Sequence, residues 1–220
     1  MIKDIFNIYI ERWDFFSQLI MEHIILTSIS VIIIAVLGLT LGIAMTRNKV
    51  LANIIFGVTN FLYTIPSIAL FGVLVTFTGI GNKSAIIALS IYGIVPVIRN
   101  TYVGIMQVDK QVIESAIGMG TTKRELLFRI QLPLALPVIF TGFRTMVIMT
   151  IALCGIASFI GAGGLGVAIW RGISTNFPTM TMAGSLLVAA LAIITDLILQ
   201  KTENIMTRKI LGNEKMEGYK

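Results

Sequence analysis

The sequence predicts an all-α integral membrane protein with five transmembrane helices. Three observations lead there. Of the 220 residues, 56% are hydrophobic and only 13% charged, and mean hydropathy is +0.91. The charged share is about half that of soluble domains. The apolar residues fall into five runs, each near the ~20 residues needed to cross a bilayer. One polar, charge-bearing stretch of any length, Glu114 to Pro133, interrupts them.

Residues 1–22 are expected to form an amphipathic interfacial segment. Ile5, Tyr9, Trp13, Phe16 and Ile20 recur at helical spacing, which suits a helix lying at headgroup level. A loosely ordered terminus is the other reading. Asp4, Glu11, Arg12 and Asp14 interrupt any signal-peptide core. Residues 23–205 form the transmembrane domain, and 206–220 a cytoplasmic tail, with the polar region from Gln200 expected to be partly disordered.

Span 1 runs from about Ile24 to Met45. His23, the one histidine, sits at its edge and reads as an interfacial residue. Span 2 covers about Leu51 to Phe77, and Pro66 in its middle should kink or split it. Asn53, Gly57, Asn60, Thr64 and Ser67 form a polar stripe down it. Such groups turn away from lipid, toward partner helices or a watery path. Asn60, Tyr63, Thr64 and Ser67 are therefore candidate pathway-lining residues, with interhelical hydrogen bonding as the equal alternative.

Span 3 covers about Ser84 to Met106, with Pro96 inside it. Arg99 is close enough to its later end to snorkel to the interface. Span 4 covers about Leu134 to Ile156, with Arg144 near its start. Gly161, Gly163, Gly164 and Gly166 then form a candidate external segment suited to tight turning or close backbone approach. Three of them satisfy G-x-G-x-x-G, but a dinucleotide site needs a preceding strand, and here a membrane helix precedes. Span 5 covers about Thr179 to Leu199, with Asp196 in its last turn, able to reach the interface or pair with a base. Cys154, the single cysteine, lies in an apolar run and excludes an internal disulfide. No catalytic or metal site is expected.

Basic residues orient the chain. Arg47, Lys49, Lys110, Lys123, Arg124, Arg129, Lys201, Arg208, Lys209, Lys215 and Lys220 fall on one side; Lys3, Arg12, Lys83 and Arg171 fall on the other. The positive-inside rule puts the amino terminus outside and the carboxyl terminus in the cytoplasm. The polar loop, about 108–133, is then cytoplasmic. Within it, Asp109 can cap one helix, Gly118 and Gly120 can end it, and Thr122 with Glu125 reads as a capping box opening a second. Pro133 ends the pattern or begins the next helix.

The loop carries Glu114-Ser115-Ala116, Gly120, and then Ile130, Leu132 and Pro133. This spacing resembles the E-A-A, G, I-x-L-P coupling loop of bacterial ABC importer permeases, with Ser115 replacing the first Ala. The resemblance covers about residues 24–205. Tyr63 to Phe71 and Phe159 to Gly166 look like permeases for glycine betaine, carnitine and choline; the glycine segment alone also resembles methionine importers.

The resemblance implies the type I ABC importer permease fold, in the bacterial cell membrane. It implies a second permease subunit, identical or related, a pair of ATPase subunits below, and an extracellular or periplasmic binding protein. Glu114, Ser115, Ala116, Gly120, Ile130, Leu132 and Pro133 would couple to the ATPase. No G-x-x-x-x-G-K-[ST] is present, so ATP and Mg are expected on the partner ATPase, with no cofactor on this chain and no enzymatic role for it. Nucleic acid is not an expected partner, and no fused solute-binding domain is expected. The substrate class implied is compatible solutes, with a methionine-type importer as alternative. An ion channel would show filter chemistry or charge rings. A secondary transporter would show two related halves and mid-membrane ionisable groups.

Overall fold

Side chains are spaced for helices throughout, and helices are what form. The structure, a computed structural model, describes residues 2–211. No strand occurs among them. Helix α1 is Ile2–Glu11 and α2 is Trp13–Met45. The amino-terminal segment is thus helical, and its second half is already part of the first long helix. One side of α1 is covered: Ile5 and Ile8 are buried in a cluster with Phe16, Leu19, Leu165 and Met180, while Ile2, Phe6 and Ile10 stay exposed. The Tyr9 hydroxyl donates to the Ala183 carbonyl at 2.7 Å. Burial there raises the Tyr9 hydroxyl pKa above its ordinary value.

Helix α3, Lys49–Thr64, starts where the Asn48 side chain accepts from the Val50 N–H at 2.9 Å. Helix α4, Ser67–Thr78, follows at a bend of 101°. Pro66 causes the break. It has no N–H, and it forces Ile65 into extended backbone (φ −76°, ψ 125°). The expected second span is therefore split rather than kinked. Helix α5 is Asn82–Met106, α6 is Lys110–Gly118, α7 is Lys123–Glu125 and α8 is Leu132–Ala157. Helix α9, Gly166–Ser174, and α10, Pro178–Leu211, complete the described chain.

Four helical stretches are long and apolar enough to cross a membrane: α2, α5, the run Lys123–Ile160 and α10. The bent pair α3–α4 makes the fifth if it counts as one span. The helix of α10 continues through 200–211, where a partly disordered tail was expected; residues 212–220, with Lys215 and Lys220, lie outside the described residues.

In lipid, burying apolar side chains between helices gains little, so close backbone approach must hold them together. Small residues allow it here. Gly38 and Gly42 are four apart and leave a smooth stripe on α2. A Cβ at Gly42 would lie 2.6 Å from Thr101 Cβ of α5. A Cβ at Gly142 of α8 would lie 2.5 Å from Asn100 Cβ and 2.8 Å from the Pro96 carbonyl oxygen. Ile34, Val97, Met146 and Ile151 fill the space between the three helices.

A charge cluster ties α8 to α10. Arg144 donates through Nε to Asp196 at 2.5 Å, through Nη2 to the other Asp196 oxygen at 2.8 Å, and through Nη1 to Glu203 at 3.0 Å. The Thr141 hydroxyl donates to the same Glu203. Asp196 thus pairs with a base, but from mid-helix: α10 runs on past the expected last turn.

His23 faces the protein interior. It is fully buried, its Nδ1 accepts from the Leu165 N–H at 3.3 Å, and its Nε2 donates to the Ile151 carbonyl at 3.1 Å. An N–H can only donate and a carbonyl can only accept, so the ring proton sits on Nε2.

Two expectations follow for the purified chain, both read from thermal melts. Gly142→Ala forces its Cβ against backbone and should destabilise by about 1–3 kcal/mol; Gly57→Ala, where nothing lies within 4 Å, should not. His23→Leu orphans the buried Leu165 N–H, which costs roughly 1–3 kcal/mol, so it should melt below wild type.

Candidate functional site

The polar loop builds a two-part device. Asp109 accepts from the Gln111 N–H at 2.8 Å and starts α6. Helix α6 ends in a Schellman motif. The Thr121 N–H donates to the Ala116 carbonyl at 3.2 Å and the Gly120 N–H to the Ile117 carbonyl at 2.9 Å. Gly120 has φ +84°, a left-handed conformation that side-chain-bearing residues seldom adopt. Only Ala116 of α6 is buried. Glu114, Ser115, Ile117 and Met119 face outward. The Ser115 hydroxyl donates back to the Gln111 carbonyl at 2.7 Å, so it consumes its own proton within the helix and leaves α6 as slim as the alanine would.

The second part opens with a complete capping box. The Glu125 N–H donates to Thr122 Oγ1 at 3.3 Å, and the Thr122 N–H donates to the Glu125 carboxylate at 3.1 Å. The expected second helix does not stop before span 4. Leu126–Gln131 is a π-helical turn, and the Leu132 N–H donates to the Leu127 carbonyl. Pro133 explains it. In an ideal helix its ring would collide with the Arg129 carbonyl. One extra residue per turn opens that contact and lets the helix continue. Lys123–Ile160 is therefore one helical run of 38 residues. Leu132 packs on Ile105, Leu127, Ala135 and Ile139 and anchors the run to α5. Ile130 and Pro133 are half-buried beside it.

Of the four candidate pathway residues, two come together at the α3–α4 break. Asn60 Oδ1 accepts from Arg99 Nη2 at 3.2 Å. Tyr63 and Tyr92 have ring centroids 5.8 Å apart. The Tyr92 hydroxyl donates to the Ile65 carbonyl, which the break leaves free. Thr64 does not join them: its hydroxyl donates to Phe61 of its own helix at 2.7 Å. Ser67 begins α4 and is half-buried. The sequence stripe missed Arg99, which belongs to another helix. The charge of Arg99 inside a span was the available sign.

The glycine segment is a pinned loop at the other end of the helices. The Gly163 N–H donates to Asn82 Oδ1 at 3.0 Å and the Gly164 N–H to Glu22 at 3.1 Å. Gly161 and Gly164 take positive φ, +75° and +94°. Gly166 opens α9 so close to α8 that a Cβ there would lie 2.0 Å from the Gly155 carbonyl oxygen. An apolar cleft of about 570 Å³ lies beside the loop, bounded by Gly72, Ile80, Phe159 and Trp170.

Residues 34–204 match the family described as "Binding-protein-dependent transport system inner membrane component". The chain is 39% identical over 194 residues to the glycine betaine/carnitine/choline transport system permease protein OpuCB of Bacillus subtilis, covering 88% of this chain and 89% of that one. It is 40% identical over 169 residues to the ergothioneine transport permease/ergothioneine binding protein EgtU of Helicobacter pylori. That match takes in 77% of this chain but only 31% of the longer protein. The backbone is similar to that of the MetNI methionine ABC transporter in an inward-facing conformation, with TM-score 0.78 and 22% identity, over 88% of this chain and 96% of that one. At that identity the likeness shows the fold alone. With a permease architecture and a family match over most of its length, the chain belongs to the inner membrane components of binding-protein-dependent transport systems.

Proposed function

We propose that this chain is the permease subunit of an ATP-driven importer of quaternary ammonium solutes, with glycine betaine, carnitine and choline as the expected set. The relatives' substrates supply the chemistry. Glycine betaine, carnitine and choline are the named cargo of one, ergothioneine of the other. All four carry a trimethylated nitrogen. Ergothioneine is accordingly the second reading, favoured by an identity equal to that of the osmoprotectant relatives.

The observation that carries the coupling role is the exposed α6 joined by the Gly120 turn to an unbroken helical run. In this reading α6 sits at the cytoplasmic face, the amino terminus is outside and the carboxyl terminus inside. Glu114 offers a charge to the ATPase, Ser115 and Ala116 allow close approach, and Gly120 holds the bend. Ile130, Leu132 and Pro133 carry motion of α6 into the membrane. ATP and Mg act on the ATPase pair, whose closure would rock α6 and the 38-residue run as one body. A second permease subunit covers the exposed face of α3–α4, where Asn60, Tyr63, Thr64 and Ser67 line the path. A binding protein delivers solute to the outer end, near Gly161, Gly163, Gly164 and Gly166.

Two measurements test this. Cells lacking the chain, and the same cells with it restored, are assayed for uptake of labelled glycine betaine, carnitine, choline, ergothioneine and methionine. Rescue of trimethylated solutes supports the reading; rescue of methionine alone overturns it. For coupling, Glu114→Ala and Gly120→Val are expected to cut uptake about tenfold or more, since about 1.4 kcal/mol of lost docking corresponds to that factor. Membrane abundance should stay normal for Glu114→Ala, because Glu114 is exposed; for Gly120→Val, whose positive φ strains a β-branched residue, uptake is read per copy in the membrane. Unchanged uptake in both variants would remove the coupling role.

A further inference from the structure

The membrane-embedded part of the chain holds two guanidinium groups, and they differ. Arg144 is neutralised by Asp196 and Glu203. Arg99 has no acidic partner among the described residues; its hydrogen bond goes to the neutral amide oxygen of Asn60. Arg99 stands seven residues before Met106, the end of α5. At 1.5 Å per residue that is about 10 Å into the helix. A cation at such a depth is costly unless it faces water or an anion. Arg99 is exposed on the subunit surface, beside the α3–α4 break.

Its neighbours share two helix faces. Asn60 and Tyr63 are three apart on α3, and Tyr92 and Arg99 seven apart on α5, so each pair projects to one side. The hydrogen bond Arg99–Asn60 and the ring pair Tyr63–Tyr92 join those sides. The strip between the helices therefore has a cationic end and an aromatic end. Along α3 the two ends are three residues apart, about 4.5 Å. That is the scale of a small zwitterion.

The geometry points to a station for zwitterionic quaternary ammonium solutes, in which the exposed Arg99 guanidinium takes the carboxylate and the exposed Tyr63 ring, held from behind by the buried Tyr92, takes the trimethylated nitrogen. A guanidinium binds a carboxylate through paired N–H donors, and a tyrosine face attracts a quaternary cation. Arg99 is thus a specificity-determining residue, selecting solutes that carry an acid group. The inference rests on the quaternary ammonium reading above.

The test uses the complete importer, with its ATPase and binding protein, in liposomes. Translocation of glycine betaine and carnitine, which have a carboxylate, is compared with that of choline, which has none. Arg99→Gln should lower carboxylate-bearing solutes about tenfold relative to choline. Arg99→Lys, which keeps the charge but loses the paired donors, should fall between wild type and Arg99→Gln for the carboxylate-bearing solutes. Unchanged betaine transport in Arg99→Gln overturns the inference. So does an equal loss of betaine and choline, the result expected if Arg99 holds a lipid phosphate or the fold. If choline is not carried by wild type, equal loss of betaine in the Gln and Lys variants overturns it. A wild-type importer that carries none of these solutes overturns the substrate reading itself and this inference with it, an outcome visible before any variant is made.

Discussion

Close backbone packing among α2, α5 and α8 is the constraint on which the other features depend. Lipid is as apolar as leucine, so these helices hold together through van der Waals contact rather than escape from water. Gly42 against Thr101 and Gly142 against the Pro96 carbonyl bring backbones to distances that no side chain permits. Once the three helices are fixed, polar groups along them acquire defined partners. His23 on α2 bridges Ile151 on α8 and Leu165 before α9. Halfway along α8, Arg144 reaches Asp196 and Glu203 on α10. In hydrocarbon such groups have no water to fall back on, so each bond helps fix a helix position.

Proline sets the mechanics of the loop and of the broken helix in opposite ways. At Pro133 the chain widens into a π turn and continues, so the second half of the polar loop and the following span form one continuous helical run. At Pro66 it gives way, bends by 101° and leaves the Ile65 carbonyl for Tyr92. The same missing N–H produces both results. The surroundings decide between them. The stretch after Leu126 packs on α5 through Leu127, Leu132 and Ala135, whereas the residues flanking Pro66 include exposed Tyr63, Thr64 and Ile68 and have little packing to hold a straight axis.

That broken helix also gathers polar and aromatic groups at the subunit surface. Asn60 and Tyr63 stay accessible there, Arg99 joins them from α5, and the buried Tyr92 packs behind Tyr63. Arg144 sits in a site with two carboxylates; Arg99 sits in one with an amide and two rings. The contrast separates a cation neutralised by carboxylates from one whose described partner is a neutral amide.

The sequence by itself determined whatever depends on neighbours a few residues apart. The helical runs, the Asp109 cap, the Thr122–Glu125 capping box and the Gly120 turn were all legible, because each bond spans two to five residues. Tertiary structure alone decided what depends on distant ones. His23 gains its donor from Leu165, 142 residues away, which supplies an N–H. Asp196 finds Arg144 across 52 residues, and Arg99 finds Asn60 across 39. The continuity of the loop helix with span 4 belongs here too, since Pro133 alone was compatible with a stop or a start. Pattern and propensity act along the chain; the partner of a buried polar group is fixed only when packing brings another helix within about 3 Å of it.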